Sequence, residues 1–124
     1  MRKGTTQPPL GTPLNMSHPL SQGLVGCWLL NEGGGQKVIN AAGHGLTDGT
    51  LTSSPSFLQT QKGQAVTFNG TSQYITIPDI DYFSPSAASP FAITVSAWVN
   101  FIAIPSVTGS IVSKGAASNY EWYL

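Results

Sequence analysis

Residues 91–101, FAITVSAWVNF, alternate strictly between apolar and more polar side chains. Successive side chains of a strand point to opposite faces, so this period of two predicts a strand with one buried face. Trp98 stands on the less apolar face. A large aromatic side chain there either packs beneath another layer or lies in the floor of a groove.

Similar alternation, separated by turn residues, predicts further strands and no amphipathic helix. The expected strands are residues 24–30, residues 50–52, two strands of a hairpin within residues 64–77, residues 109–114 and residues 120–124. Asn69-Gly70 is the strongest signal for the hairpin, because both residues tolerate positive φ. Residues 53–62 are expected to form a loop in which Phe57 and Leu58 point inward.

Residues 1–22 are rich in proline, threonine and serine. Their four prolines prevent regular structure, so we expect an extended or disordered arm that can tether the chain or lie along a neighbour. The basic start is not followed by an apolar core, unlike a signal peptide. Cys27 is the one cysteine, which excludes an internal disulfide, and we expect it to be a small buried hydrophobe.

Composition narrows the classes of partner. The chain has 124 residues, and five Lys and Arg balance five Asp and Glu. Such a chain suits one modest domain and offers no basic surface for nucleic acid or an anionic membrane. No apolar run is long enough to span a bilayer.

Five motifs follow one another through residues 23–124. They read GLVGCWLLNEGGG, GHGLTDGTL, GQAVTFNGTSQYITIP, FAITVSAWVNF and IVSKGAASNYEWYL. In these motifs and in their order, the chain resembles the N-terminal part of laminin G-like, concanavalin A-like jelly-roll domains. The resemblance implies an all-β fold, an antiparallel two-sheet jelly-roll sandwich. The opening HPLSQGLVGCWLLNEGGG is also similar to sequences of tailed-bacteriophage structural proteins.

Members of that family continue through several more strands, whereas the last residues here fall inside a strand pattern. We therefore expect a jelly roll that is incomplete at its C-terminus. Unpaired strand edges and uncovered apolar faces would follow from this, so we expect the chain to be marginally stable or to self-associate.

The jelly-roll scaffold hosts both glycan-binding proteins and glycosidases. A glycosidase needs two carboxylates about 5 to 9.5 Å apart, flanking the bond that it cleaves. Asp79 and Asp81 are close in sequence, but they stand in a proline-bounded loop that suits turn capping, and the ExDxE strand motif of the family's glucanases is absent. We expect no catalytic residues here, and a truncated part of a glycoside hydrolase is one alternative.

Calcium is the one cofactor that the resemblance implies, because several relatives bind it through oxygen ligands at the rim of the sandwich. The candidate ligands here are Asp48, in GHGLTDG, and Asn119, which matches the Asn of an Asp-Asn pair in the pentraxin branch. Ser118 stands in place of the carboxylate of that pair. Asn40 and Asn69 stand where many relatives carry Asp, and the loss of negative charge disfavours a divalent cation.

The candidate ligand-binding face combines one aromatic platform with several hydrogen-bonding groups, the mixture that a sugar ring uses. Its residues are Trp98, Thr94, Ser96 and Asn100, with Tyr74 on the hairpin and Tyr123 on the last strand expected to extend it. The alternative is that Trp98 is core beneath the second half of the sandwich or a loop.

The sequence thus favours a non-catalytic binding or adhesion module for carbohydrate or glycoprotein, on a virion or an extracellular surface. A second hypothesis is a structural decoration protein of a virion, without glycan binding, whose N-terminal arm binds other virion proteins.

Overall fold

The computed structural model describes residues 6–43, 47–84, 92–103, 109–116 and 119–124. Its strands are β1 (Lys37–Val38), β2 (Gly49–Thr52), β3 (Ser56–Thr60), β4 (Gly63–Thr67), β5 (Tyr74–Thr76), β6 (Ser113–Ala116) and β7 (Asn119–Tyr123). Short 3-10 turns, such as Pro19–Ser21 and Asp81–Phe83, lie between strands or before them. No helix in the described ranges has the length and apolar character needed to cross a membrane.

All sheets described are small and antiparallel. One contains three strands in the order β1-β2-β5, and β3 with β4 and β6 with β7 form two-stranded sheets. The chain divides into two compact units, residues 1–79 and residues 80–124. The all-β antiparallel class is therefore confirmed, while the two-sheet jelly-roll sandwich stays a prediction.

The core of the first unit forms where three strands meet around a glycine. Val38 of β1 and Leu51 of β2 are buried, and Gly49 is paired with Val38. A Cβ at Gly49 would lie 2.5 Å from Val38 Cγ2 and 2.7 Å from Ile75 Cγ2. The close approach of these side chains therefore requires glycine at this position.

The turn at Asn69-Gly70 does not close the predicted hairpin. Strand β4 pairs with β3, and β5 pairs with β2 through Leu51 and Ile75, so the turn carries the chain from one sheet to another. Gly70 has the expected positive φ of 69°. The sequence predicted the chain reversal and both strands correctly, but it predicted that the two strands pair with each other, which is wrong. A turn signal shows where the chain reverses and does not determine which strands become hydrogen-bonded.

The loop predicted at residues 53–62 is largely a strand. Strand β3 pairs with β4 across a tight turn, in which Thr60 Oγ1 donates to the Gly63 carbonyl at 2.7 Å and accepts from the Lys62 N–H at 3.1 Å. Phe57 is half buried, whereas Leu58 is exposed. Only Phe57 is thus partly inward as expected, because neighbouring residues of a strand face opposite ways.

Two predicted strands are wrong. Residues 24–30 are half buried but make only an isolated bridge, between Trp28 and Asn40, among the described residues. Residues 92–103 form no regular element, and Phe91 lies outside the described residues. Alternation specifies which face of a segment should be buried, but a strand also needs a neighbouring backbone to bond its N–H and C=O groups.

The N-terminal arm is hydrogen-bonded to the first unit through Gln7. The Gln7 N–H donates to the Lys62 carbonyl at 2.8 Å, and Gln7 Oε1 accepts from the Gln64 N–H at 2.7 Å. Gln7 Nε2 also donates to the Leu29 carbonyl. One side chain thus connects the arm both to β4 and to the segment that precedes β1.

Candidate functional site

Trp98 is the most exposed aromatic residue of the predicted ligand-binding face. Its side chain is fully exposed, at 104%, and Thr94, Ser96 and Asn100 are exposed as well. The described residues therefore contain no layer that covers the indole. Both faces of the ring are available for stacking, with hydroxyl and amide groups on the same segment.

The alternate residues of this segment were expected to be buried, and that expectation is wrong for the structure. Ile93, Val99 and Phe101 are exposed by 36%, 47% and 62%, respectively, and Val95 is half buried. Because this segment has no ladder in the described ranges, it has no sheet face with which to cover these side chains. It therefore exposes apolar and polar residues alike.

The two tyrosines predicted to extend the face lie in different units. Tyr123 is exposed on β7 in the second unit, which also contains Trp98. Tyr74 is exposed on β5 in the first unit. The structure thus does not assign Tyr74 to the same surface as Trp98.

Strand β7 is fixed to its surroundings by its other side chains. Trp122 Nε1 donates to the Phe83 carbonyl at 2.9 Å, and Glu121 Oε2 lies 3.0 Å from Lys114 Nζ on β6. These contacts fix the orientations of Glu121 and Trp122. Because the two residues are neighbours in a strand, their side chains point to opposite faces. Tyr123 is therefore presented by an element held by an indole hydrogen bond and an ion pair.

The loop that carries Asp48 is organised around a buried amide. Asn40 Nδ2 donates to Thr47 Oγ1 at 2.5 Å and to the Val25 carbonyl at 3.2 Å. Asn40 Oδ1 accepts from the N–H groups of Cys27 at 2.9 Å and of Ala42 at 3.0 Å. An aspartate could accept these N–H bonds but could not donate, so the contacts of this position require an amide rather than a carboxylate.

Asp48 itself is bonded inward. Its Oδ1 accepts from the Asn40 N–H at 2.9 Å. The second predicted ligand, Asn119, begins β7 in the other unit, and its side chain lies outside the described residues, as does Ser118. In the part of the chain that the structure describes, no three residues among His, Cys, Asp and Glu are grouped to hold a metal ion.

The Asn69 loop satisfies its own polar groups. Asn69 Oδ1 accepts from the N–H groups of Thr71, Ser72 and Gln73 at 2.9, 3.0 and 3.2 Å. Gln73 Oε1 in turn accepts from the Asn69 N–H at 2.8 Å. These oxygens stabilise the turn between two sheets, as side-chain amides do in Asx turns.

Sequence reasoning missed the surroundings of Glu32. A cavity of about 250 Å³ lies between the N-terminal arm and the segment before β1, lined by Leu10, Pro13, Leu29, Asn31, Glu32 and Ile39 among others. Glu32 Oε1 accepts from the Ile39 N–H at 2.8 Å, while Oε2 is buried and has no hydrogen-bond partner among the described residues. The one signal of this environment in the sequence was the acidic residue Glu32 shortly after the apolar run CWLL. The cavity is smaller than the roughly 300 to 1,000 Å³ of most ligand pockets.

Cys27 is half buried beside the Asn40 loop. Desolvation by this burial raises the pKa of its thiol. A raised pKa favours the neutral thiol over the nucleophilic thiolate, so Cys27 has the chemistry of a structural side chain.

Comparison of this chain with protein-family models, with curated proteins and with solved structures finds no match.

Proposed function

We propose that this chain is a non-catalytic binding module that recognises carbohydrate or a glycoconjugate through Trp98. The observation that supports this most directly is the complete exposure of the indole beside exposed Thr94, Ser96 and Asn100. A sugar ring has apolar C–H faces and a rim of hydroxyl groups. The indole can stack on the C–H faces, while the hydroxyl and amide side chains form hydrogen bonds with the sugar hydroxyl groups.

The exposure of Trp98 is unusual for its residue type. Tryptophan is highly buried on average, and exposed apolar surface within a polar surround is a feature of interaction sites. Trp28 and Trp122, by contrast, are half buried and each donates its indole N–H to a backbone carbonyl. Trp98 is thus the tryptophan whose surface is available to a ligand.

The charge of the segment supports an uncharged ligand. Residues 92–103 contain no Asp, Glu, Lys, Arg or His, and the whole chain has a formal net charge of zero at pH 7. Recognition here would use stacking and neutral hydrogen bonds rather than ion pairs. A neutral glycan matches this chemistry better than a phosphate or a peptide of high charge.

The positions of the acids support binding without catalysis. Glu32 and Asp48 each accept a bond from a backbone N–H, and Glu121 is paired with Lys114. These contacts engage three of the five acids of the chain, whereas a glycosidase needs two carboxylates that flank the bond it cleaves. We infer the virion or extracellular location only from the sequence resemblance described above.

A glycan array with purified intact chain tests the proposal, followed by titration of the best ligand. We expect Trp98→Ala to weaken binding roughly tenfold or more, since stacking contributes on the order of 1 to 2 kcal/mol, and Trp98→Tyr to retain part of it. Ile102→Ala is the matched control, because Ile102 is 85% exposed on the same segment but has no aromatic face.

Two results would contradict the proposal. Binding that is unchanged in Trp98→Ala, with the fold retained by circular dichroism, would exclude the indole as the platform. An array without any bound glycan would instead favour the decoration role of a virion protein, which requires no sugar site.

A further inference from the structure

The cavity around Glu32 lies between two segments of the first unit. Residues 10–13 of the N-terminal arm form one wall, and side chains between residues 29 and 41 form the other. Hydrogen bonds hold the arm in this position. Asn31 Nδ2 donates to the Pro8 carbonyl at 2.8 Å, and Gln7 Nε2 donates to the Leu29 carbonyl. The arm is therefore a fixed wall of the cavity.

Most of the lining of this cavity is apolar. The apolar side chains are those of Leu10, Pro13, Leu29, Ile39 and Ala41. The volume of about 250 Å³ exceeds the roughly 150 Å³ of a protein cavity that is known to hold benzene. One small ring or a short alkyl chain would therefore fit between the two walls.

The cavity also has one acidic group in its wall. Glu32 is the one acid among the lining residues, and none of them is Lys, Arg or His. Its Oε1 accepts at 2.8 Å from the N–H of Ile39, which also lines the cavity. Its Oε2 is buried and has no hydrogen-bond partner among the described residues. A buried carboxylate oxygen without a donor is costly, so this position favours a ligand that supplies a donor.

We propose that this cavity binds a small primary amine, with its apolar group between the two walls and its ammonium group donating to Glu32 Oε2. An ammonium group supplies both the missing donor and the positive charge that balances the carboxylate. Such charge-assisted hydrogen bonds are roughly twice as strong as neutral ones. The ligand would therefore be recognised by one apolar contact surface and one ion pair.

A divalent metal ion fits this cavity less well than an amine. Calcium takes six to eight oxygen ligands, several of them carboxylates, whereas the lining contributes one carboxylate. Within the described ranges, no three residues among His, Cys, Asp and Glu are grouped to hold a metal. The site also goes beyond the proposed glycan binding and does not depend on it, because Trp98 belongs to the other unit.

The first test is a titration of the isotope-labelled intact chain with benzylamine at neutral pH, where the amine is protonated. The Ile39 amide, which bonds Glu32, reports binding by nuclear magnetic resonance. We expect a saturable shift of this resonance. Benzyl alcohol is the matched probe, because it has the same ring and a hydroxyl donor but no charge. It should bind roughly tenfold more weakly.

The second test compares variants in the same titration. Glu32→Gln keeps an oxygen that can accept from the Ile39 N–H but removes the charge, and we expect it to weaken benzylamine binding roughly tenfold or more. Glu121→Gln removes a carboxylate of the second unit that is paired with Lys114, and it should leave the affinity unchanged. Ala41→Leu fills the cavity and should abolish binding while Glu32 is intact. Circular dichroism confirms that the variants keep the fold.

Absence of a saturable shift at Ile39 would overturn the proposal, since water alone would then satisfy Oε2. Equal affinities for benzylamine and benzyl alcohol would exclude the ion pair. If Glu32→Gln and Glu121→Gln weakened binding equally, a general attraction of the cation to acidic side chains would explain the result. Unchanged binding in Ala41→Leu would show that the amine occupies another site.

Discussion

Asn40 and Thr47 form a buried side-chain pair: Asn40 Nδ2 donates to Thr47 Oγ1 at 2.5 Å, with the two residues 3% and 0% exposed. Trp28 Nε1 donates to the Thr47 carbonyl at 2.9 Å. Trp28 from the segment before β1 thus meets Asn40, two residues after β1, and Thr47, the residue before Asp48. The polar contact therefore fixes the loop that carries the predicted metal ligand.

The amide of Asn40 should be indispensable to this loop. We expect Asn40→Asp to lower the free energy of unfolding by about 3 kcal/mol, because the Thr47 hydroxyl and the Val25 carbonyl lose their donor and a carboxylate becomes buried. Urea denaturation measures the change. Asn69→Asp is the matched control, since Asn69 is exposed, its Oδ1 accepts from backbone N–H groups, and its Nδ2 donates to the exposed Ser72 hydroxyl, a bond that water can replace. It should be within about 0.5 kcal/mol of wild type. Equal effects of both substitutions would contradict the role of the buried donor.

Gly49 should not tolerate a methyl group. We expect Gly49→Ala to destabilise the chain by about 1 to 3 kcal/mol, since the new Cβ would overlap Val38 Cγ2 and Ile75 Cγ2. The comparison variant is Gly34→Ala, because Gly34 is exposed and a Cβ there meets nothing within 4 Å. Thermal unfolding of the two variants separates the packing effect from the general effect of removing a glycine. A stable Gly49→Ala would show that the strands can move apart.

Gln7 should protect a backbone N–H group of β4 from exchange with solvent. We expect Gln7→Ala to raise the hydrogen-exchange rate of the Gln64 amide by roughly tenfold, because its acceptor is lost and a hydrogen bond contributes about 1 kcal/mol. Exchange followed by mass spectrometry or nuclear magnetic resonance reads this position. Gln36→Ala, at an exposed glutamine of the same unit, should leave the Gln64 amide unchanged. If the Gln64 amide exchanges at the same rate in both variants, the arm does not protect β4.

Cys27 should react with alkylating reagents only at unusually high pH. Burial raises the pKa of the thiol, so the midpoint of the rate against pH should lie above that of a free cysteine, about 8.5. Because the folded state holds the proton more tightly than the unfolded state, the contribution of Cys27 to stability is complete below the unfolded pKa and falls as pH rises through the folded pKa. Cys27→Ser should lack this alkaline decline. A midpoint at or below that of free cysteine would contradict the burial.

Local patterns predicted the strand segments better than their partners. Residues 50–52, 64–67 and 75–76 are strands as expected, and residues 120–123 lie in β7. The pairing of Leu51 with Ile75 was not foreseen, because it depends on tertiary contacts such as those around Gly49. Propensity and period describe single segments, and the choice of neighbour is made by packing.

The sequence selected the residues of the candidate site but did not reveal their environment. The alternation at residues 91–101 singled out Trp98 but left open whether it is core, and in the structure its side chain is fully exposed. The sequence did not reveal that the opposite side chains are exposed too, since burial depends on a partner surface. Nor did it reveal that Asn40 needs its amide to donate, which became visible only from the Thr47 hydroxyl and the Val25 carbonyl.

The position of the β3–β4 hairpin within the chain has a consequence for the order of folding. Strands β2 and β5 are hydrogen-bonded neighbours, and the hairpin lies entirely within the stretch of chain that joins them. Closing a long flexible loop costs entropy, and a hairpin formed early within that loop shortens its flexible length. We expect the local β3–β4 contacts to form in microseconds and the joining of β2 to β5 to be the slower step. The tight turn near Thr60 should therefore speed the formation of a sheet to which it does not belong.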